Sequence, residues 1–245
     1  MVYIREDQWP IMQEAAKSEI EMCGYINKEG LFVERENISE IPYHAFTIDF
    51  IDVEEEYTAI VHSHIANSCE PSDEDKLSCF ESKVPWLIFG SYGETHEWMN
   101  PDDIKFGFLE RPFRLGVIDC YTMVQDYYRV LGLSLMDNPR PGEFWERKEE
   151  DSNPYIELAP EQGFYRLSDD AALLPHDVIL MSIRTKRPCA NHAAVYIGSG
   201  KILHHLQGRR SCIELYDKRN IFGKLTYAIY RHIKSHEIQK KVVEL

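Results

Sequence analysis

Val61-His62-Ser63-His64, then seven residues, then Ser72-Asp73-Glu74-Asp75 is the stretch on which the reading of the N-terminal half turns. Tyr57-Thr58-Ala59-Ile60-Val61 is an apolar strand leading into it. Residues two apart on a strand point to one face, so His62 and His64 can reach a single ion. Ser72 is a good N-cap and the acids after it suit the positive end of a helix, which places Asp75 one turn in. Two imidazoles and a carboxylate leave a fourth tetrahedral position open, the arrangement of a catalytic zinc, where a water is acidified to a pKa of roughly 7. A carboxylate must still carry the proton, and Glu21, just before Cys23-Gly24, is the candidate. Alone, a H-x-H pair on an exposed strand is more often chance than a metal site; the full spacing is far more specific.

Outward from this stretch, Trp9 to Ala16 has helical spacing, and Cys23-Gly24-Tyr25-Ile26 and Gly30-Leu31-Phe32-Val33 are two strands joined by a polar turn. Val84 to Phe89 is a further strand with Pro85 near its start, and Glu54-Glu55-Glu56 is a solvated strand edge. Residues 93 to 112 are polar and turn-rich, so the domain boundary falls here, between 1–105 and 106–245. Beyond it, Cys120 to Leu131 is a helix closed by Gly132, and the Pro-rich stretch from Asp137 to Gln162 is a long loop or insertion. Val178-Ile179-Leu180-Met181 is a buried strand. His192 to Ile197 and Lys201 to His204 form a hairpin through Gly198-Ser199-Gly200.

A second chemistry is written around Cys120. A thiol at a helix N-terminus meets the positive end of the dipole, which favours thiolate. It needs a base, and His192 starts a strand whose hairpin partner carries His204, so His204 can fix the His192 ring as the third member of a triad does. The neighbouring His205 faces the other side of its strand. Without context, a lone buried Cys is usually an inert small hydrophobe. Of the other thiols, Cys23 belongs to the core, Cys69 and Cys79 lack metal spacing, and Cys189 lacks companion ligands.

Composition narrows the classes. The chain has 245 residues and 44% hydrophobic content, enough for one large or two small folded domains. Its formal net charge of -14 argues against a broad nucleic-acid surface and against an anionic membrane surface. No apolar run is long enough for a membrane span, and the N-terminal residues lack a signal-peptide core, so synthesis in a cytosol is expected, and any later arrival outside needs another vehicle. Six scattered cysteines without a C-x-x-C pair suggest free thiols in a reducing compartment.

Glu21-Met22-Cys23-Gly24 with His62-Ser63-His64 and Ser72-x-x-Asp75 resembles the JAMM motif of the MPN family, over about residues 1 to 100. The resemblance implies zinc held by His62, His64 and Asp75, Glu21 as general acid/base, and Ser72 as the donor to a developing oxyanion. Ile65 departs from the proline usual after the second His. Asp119-Cys120 and the twelve-residue step from His192 to His204 resemble the NlpC family of papain-like cysteine peptidases, over about residues 108 to 235. That implies Cys120 as nucleophile, His192 as base and His204 as orienting residue. The two resemblances imply an α+β fold in two domains: an MPN/cytidine-deaminase-like α/β sandwich, then an NlpC-type papain-like α+β domain.

Together, with Arg111 to Tyr121 and Leu203-His204-His205, they resemble the tail assembly protein K family of long-tailed bacteriophages, across nearly the whole chain. This implies a peptidase with other tail tip proteins as partners and peptidoglycan stem peptides as substrate, without nucleic acid or membrane insertion. It also implies the host cytoplasm during assembly, and the virion tail tip as a second location. The alternative is a structural assembly component with one or both sites inactive. A cellular isopeptidase acting on ubiquitin-like chains leaves the second half unexplained.

Overall fold

The computed structural model describes residues 2–50, 56–66, 68–138, 140, 145, 153–186 and 188–245. Glu54, Glu55 and much of the 137–162 insertion therefore lie outside the described residues. The chain divides into two compact units, Met1–Lys105 and Phe106–Leu245. Each is α+β, and no helix among the described residues is long and apolar enough to cross a membrane.

The first unit contains α1 (Trp9–Ala15), β1 (Cys23–Asn27), β2 (Phe32–Arg35), β3 (Tyr57–Ser63), α2 (Asp73–Ser82), β4 (Trp86–Phe89) and β5 (His96–Met99). They form one sheet in the order β2-β1-β3-β4-β5, in which β3 and β4 run parallel with α2 as the crossover between them. The period of two on β3 divides the unit. Ala59 and Val61 face α1 with Met12, Ala16, Leu87 and Phe89. Ile60 faces the other side with Tyr25, Trp86, Ile88 and Cys79 of α2, and His62 shares its parity. At Gly24 a Cβ would stand 2.3 Å from the Val33 carbonyl oxygen, so only glycine lets β1 and β2 approach.

One sequence expectation needs correction here. His96–Met99, within the stretch read as turn-rich boundary, is the edge strand β5, paired antiparallel with β4. Its first three residues are exposed, so it carries little apolar alternation for a sequence reading to find.

The second unit contains α3 (Cys120–Val130), α4 (Pro154–Glu157), β6 (Phe164–Arg166), β7 (Val178–Met181), β8 (His192–Gly198), β9 (Lys201–His204), β10 (Cys212–Leu215), α5 (Ile221–Leu225), β11 (Thr226–His232) and α6 (Ser235–Ile238). Its six strands follow the order β10-β9-β8-β7-β11-β6. On one face, Met123, Val124, Tyr127 and Tyr128 of α3 pack on Val178, Leu180, Ala193 and Val195. On the other, Ile179, Met181, Ala194 and Ile202 meet Tyr216 and Phe222. The turn between β8 and β9 has positive φ at Gly198, Ser199 and Gly200, as its glycines allow. The insertion is not all loop: its Pro154–Glu157 part is α4, with Asn153 as N-cap and Pro154 in the first turn.

Candidate active sites

In the first unit His62 is buried near the end of β3, and its Nε2 lies 3.2 Å from His64 Nε2 and 3.2 Å from Asp75 Oδ1. His64 Nε2 is 3.2 Å from Asp75 Oδ2. Asp75 is positioned by the local sequence: Ser72 caps α2, its hydroxyl accepting from the Asp75 N–H at 3.1 Å, while the Ser72 N–H donates to Asp75 Oδ2 at 2.8 Å.

These donors suit a tetrahedral cation. Ligands at ~2.0–2.1 Å from zinc lie about 3.3–3.4 Å apart, close to the separations seen. His64 Nδ1 is 3.1 Å from the Ser68 carbonyl, which only accepts, so Nδ1 carries the proton and Nε2 keeps its lone pair for the cluster. The His62 ring is held by stacking on Phe46 (centroids 4.5 Å apart) and by the edge contact with Trp86, while its buried Nδ1 has no acceptor among the described residues. Burial disfavours charge on His62, whereas the hydrogen bond that the Asp75 carboxylate accepts raises His64. Burial works against ionising Asp75, yet the two histidines hold its carboxyl well below the usual range.

Glu21, 6% exposed, is pushed up to about 7 by burial, with His64 opposing and Asp75 adding to the rise. It shares with His64, Ser72 and Asp75 a cleft walled by Tyr43, Phe46 and other residues of the 43–50 segment. A carboxyl tuned to neutrality beside a cation-ready donor set can accept and return a proton. Ile65, where the family motif has proline, is outside the donor set.

In the second unit Cys120 is the first residue of α3, behind the N-cap Asp119. Its Sγ is 3.2 Å from the Tyr155 hydroxyl, and the Ala193 N–H, one peptide from His192, points at it. His192 Nε2 lies 3.3 Å from His204 Nδ1. The structure thus joins His192 with His204 and sets the thiol at the start of the same strand, with Tyr155 as the thiol's side-chain partner. His205 turns edge-on to Phe113, with ring centroids 5.0 Å apart, and is not the partner of His192.

Burial works against the thiolate that the helix position favours. Burial, then the charge of Asp119, push Cys120 up to about 11, against the pull of Tyr155 and Ala193. The helix dipole, worth ~0.3–1 kcal/mol at such a terminus, is too small to offset burial. Its N–H groups are also already engaged: Asp119 accepts from Tyr121 N and Thr122 N at 2.9 and 3.0 Å. Burial likewise keeps His192 neutral and brings His204 down to about 4. Burial thus favours the uncharged thiol and the uncharged imidazole.

Two residues of the site were invisible to the sequence reading. Tyr155 arrives on α4, out of the insertion. Arg140 forms a buried ion pair with Asp119 at 2.7 Å, and its NH2 donates to the Gly116 carbonyl. Tyr155, Ala193, Tyr121 and Arg140 also line one cavity whose surface is mainly apolar, with Leu158 and Val178.

Residues 110–231 match the NlpC/P60 family, so the second unit is an NlpC/P60 peptidase-like domain. Tail tip assembly protein K of Escherichia phage lambda is 30% identical over 181 residues, covering 74% of this chain and 84% of that protein. The protein of the same name from Escherichia phage N15 is 31% identical over 207 residues, 80% of this chain and 82% of that protein. The chain belongs to the tail tip assembly protein K family. A crystal structure of a JAB1/MPN domain protein from Archaeoglobus fulgidus overlays on 43% of this chain and 95% of that chain, at 20% identity and a TM-score of 0.29, too weak a likeness to carry an argument.

Proposed function

We propose that the protein is a tail tip assembly factor with two separate amide-hydrolase sites on two independently folding domains. In the first, His62, His64 and Asp75 would hold a zinc ion, with Glu21 placed to carry a proton and Ser72 to donate to a developing oxyanion. Zinc supplies Lewis acidity and a nucleophilic water near neutral pH. In the second, Cys120 attacks an amide carbonyl, His192 takes its proton and returns it to the leaving amine, and His204 orients His192. Peptidoglycan stem peptides are the substrate of this thiol site, a protein amide that of the zinc site. The protein works beside other tail tip proteins, in the host cytoplasm during assembly and at the virion tip. The observation that carries the reading is that, among the described residues, the first unit gathers His62, His64 and Asp75 and the second gathers His192 and His204, each from its own half.

Metal content tests the first site. Wild-type protein prepared without chelators is expected to hold about one tightly bound zinc per chain. His62→Ala with His64→Ala is expected to remove it and leave the hydrolysis at Cys120 unchanged. Elemental analysis finding no metal in the wild type contradicts the assignment.

Thiol reactivity tests the second. Because Cys120 is raised to about 11, its alkylation by iodoacetamide is expected to climb about tenfold per pH unit through the neutral and mildly alkaline range. A preformed ion pair would instead give a plateau there. The Tyr155 hydroxyl favours the charged sulfur, and a hydrogen bond to a charged group is worth about 1.5–3 kcal/mol. Tyr155→Phe is therefore expected to slow both alkylation and turnover roughly 10- to 100-fold. An unchanged rate in that variant removes Tyr155 from the site.

A second reading, an assembly component whose thiol site does not turn over, is favoured by one observation: Cys120 is only 5% exposed, and that burial pushes its thiol up. Release of amines from purified murein by the wild type, absent in Cys120→Ala, separates the two.

A further inference from the structure

The orienting residue His204 has two faces, and only one is used by the proposed triad. Its Nδ1 meets His192, while its Nε2 points to the edge strand β10. There Cys212 is its cross-strand partner, and Glu214, two residues on, shares the face of Cys212. His204 Nε2 lies 3.7 Å from Cys212 Sγ and 3.8 Å from Glu214 Oε1, and those two atoms are 3.9 Å apart. An imidazole, a thiol and a carboxylate are the donor types that hold zinc or its analogues, with donor separations of about 3.4–3.6 Å around a tetrahedral ion. The three need to close by only a few tenths of an ångström. The nearest competitor is Arg209, whose NH2 sits 3.1 Å from Glu214 Oε1 but whose side chain is largely exposed and free to leave.

The geometry points to a second, weaker site for a thiophilic divalent cation at His204, Cys212 and Glu214, which switches off the thiol site through the His204 tautomer. The switch rests on the proposed Cys120–His192–His204 triad; the cation site itself does not. For His192 to accept a proton at Nδ1 it must carry its own at Nε2, and that proton is donated to an unprotonated His204 Nδ1. His204 then bears its proton on Nε2, the atom facing Cys212 and Glu214. A cation bound there takes the Nε2 lone pair, so the His204 proton must sit on Nδ1 and donate to His192 Nε2. His192 is left protonated on Nδ1 and has no free lone pair for the proton of Cys120. The strand pairing that builds the triad thus also gives its third member a ligand position on the far side.

Cobalt(II) titration of the purified full-length protein tests the site. The zinc-type donors of the first unit include no sulfur, so a thiolate-to-cobalt absorption band reports the second site alone. One band-forming cobalt per chain is expected, lost in Cys212→Ser, weakened in Glu214→Gln and retained in Cys120→Ser. No band, or one that survives Cys212→Ser, overturns the site. Nitrogen-15 spectra of the histidines with added zinc read the switch. His204 is expected to pass from the Nε2–H to the Nδ1–H form, with murein cleavage falling at least tenfold in the wild type and staying constant in Cys212→Ser. A band without the tautomer change, or without loss of cleavage in an active protein, overturns the switch. In a chain that cleaves nothing at all, the band still supports the site, and the failure then belongs to the peptidase reading.

Discussion

Cys120→Ala is expected to lower cleavage of murein stem peptides by at least about a thousandfold, the scale on which removal of a nucleophile acts in enzymes of this kind. The argument is local. The sulfur is the only nucleophile held at the start of β8, where the Ala193 N–H and Tyr155 hydroxyl converge on it among the described residues. Removing it leaves His192 and His204 joined as before, so the loss is chemical and not structural. The thiol is buried among apolar side chains, and alanine in its place leaves only a small void, with destabilisation of about 1 kcal/mol expected. Zinc content is expected to stay at the wild-type value. Release of stem-peptide amines, measured against elemental analysis of the same preparation, checks both halves of the statement.

Arg140→Ala is the variant expected to cost most in stability. Arg140 and Asp119 have side chains 5% and 0% exposed, and their ion pair at 2.7 Å sits directly behind the nucleophile. Deleting one partner of a buried pair strands the other charge, at a cost of about 3–5 kcal/mol. Asp119 cannot simply be lost, because it caps α3 through two N–H groups and accepts from Gly116 N at 2.8 Å. The same change acts on the chemistry. Arg140 is one of the influences lowering the Cys120 thiol and Asp119 one of those raising it, so the variant is expected to hold the thiol still higher and slow its alkylation. Combining Asp119→Asn with Arg140→Met is expected to recover most of the stability, since asparagine still caps a helix and no charge is left unpaired. Urea denaturation of the single and double variants measures this. An Arg140→Ala protein as stable as the wild type shows that the ion pair does not hold the site.

The metal-ready donors were legible because local rules place them. Strand parity aligns His62, and a Ser-x-x-Asp capping box fixes Asp75 at the third position of α2. The His192 and His204 pair was legible for a similar reason: a glycine-rich hairpin sets His204 opposite Ala194, two residues from His192, so the two histidines are diagonal neighbours on one face. Tyr155, Arg140, Cys212 and Glu214 were not. The first two come from an insertion with no helical or strand period, and they reach the site over 35 and 21 residues of chain. The last two lie on β10, whose pairing depends on the register with β9. The pull of burial on the Cys120 thiol was not legible, because a helix terminus is visible in sequence and burial is not. β5 was missed because an exposed edge strand needs no apolar alternation.

The central claim is that the thiol of the second domain, working without the metal of the first, opens amide bonds in murein stem peptides. A muropeptide digest by the full-length protein, run with and without a strong chelator and resolved by mass spectrometry, tests it most directly. The account predicts new amine termini within the stem peptides, equal in yield in both conditions and absent after alkylation of Cys120. Products that vanish with the chelator, or that persist when Cys120 is blocked, would contradict it.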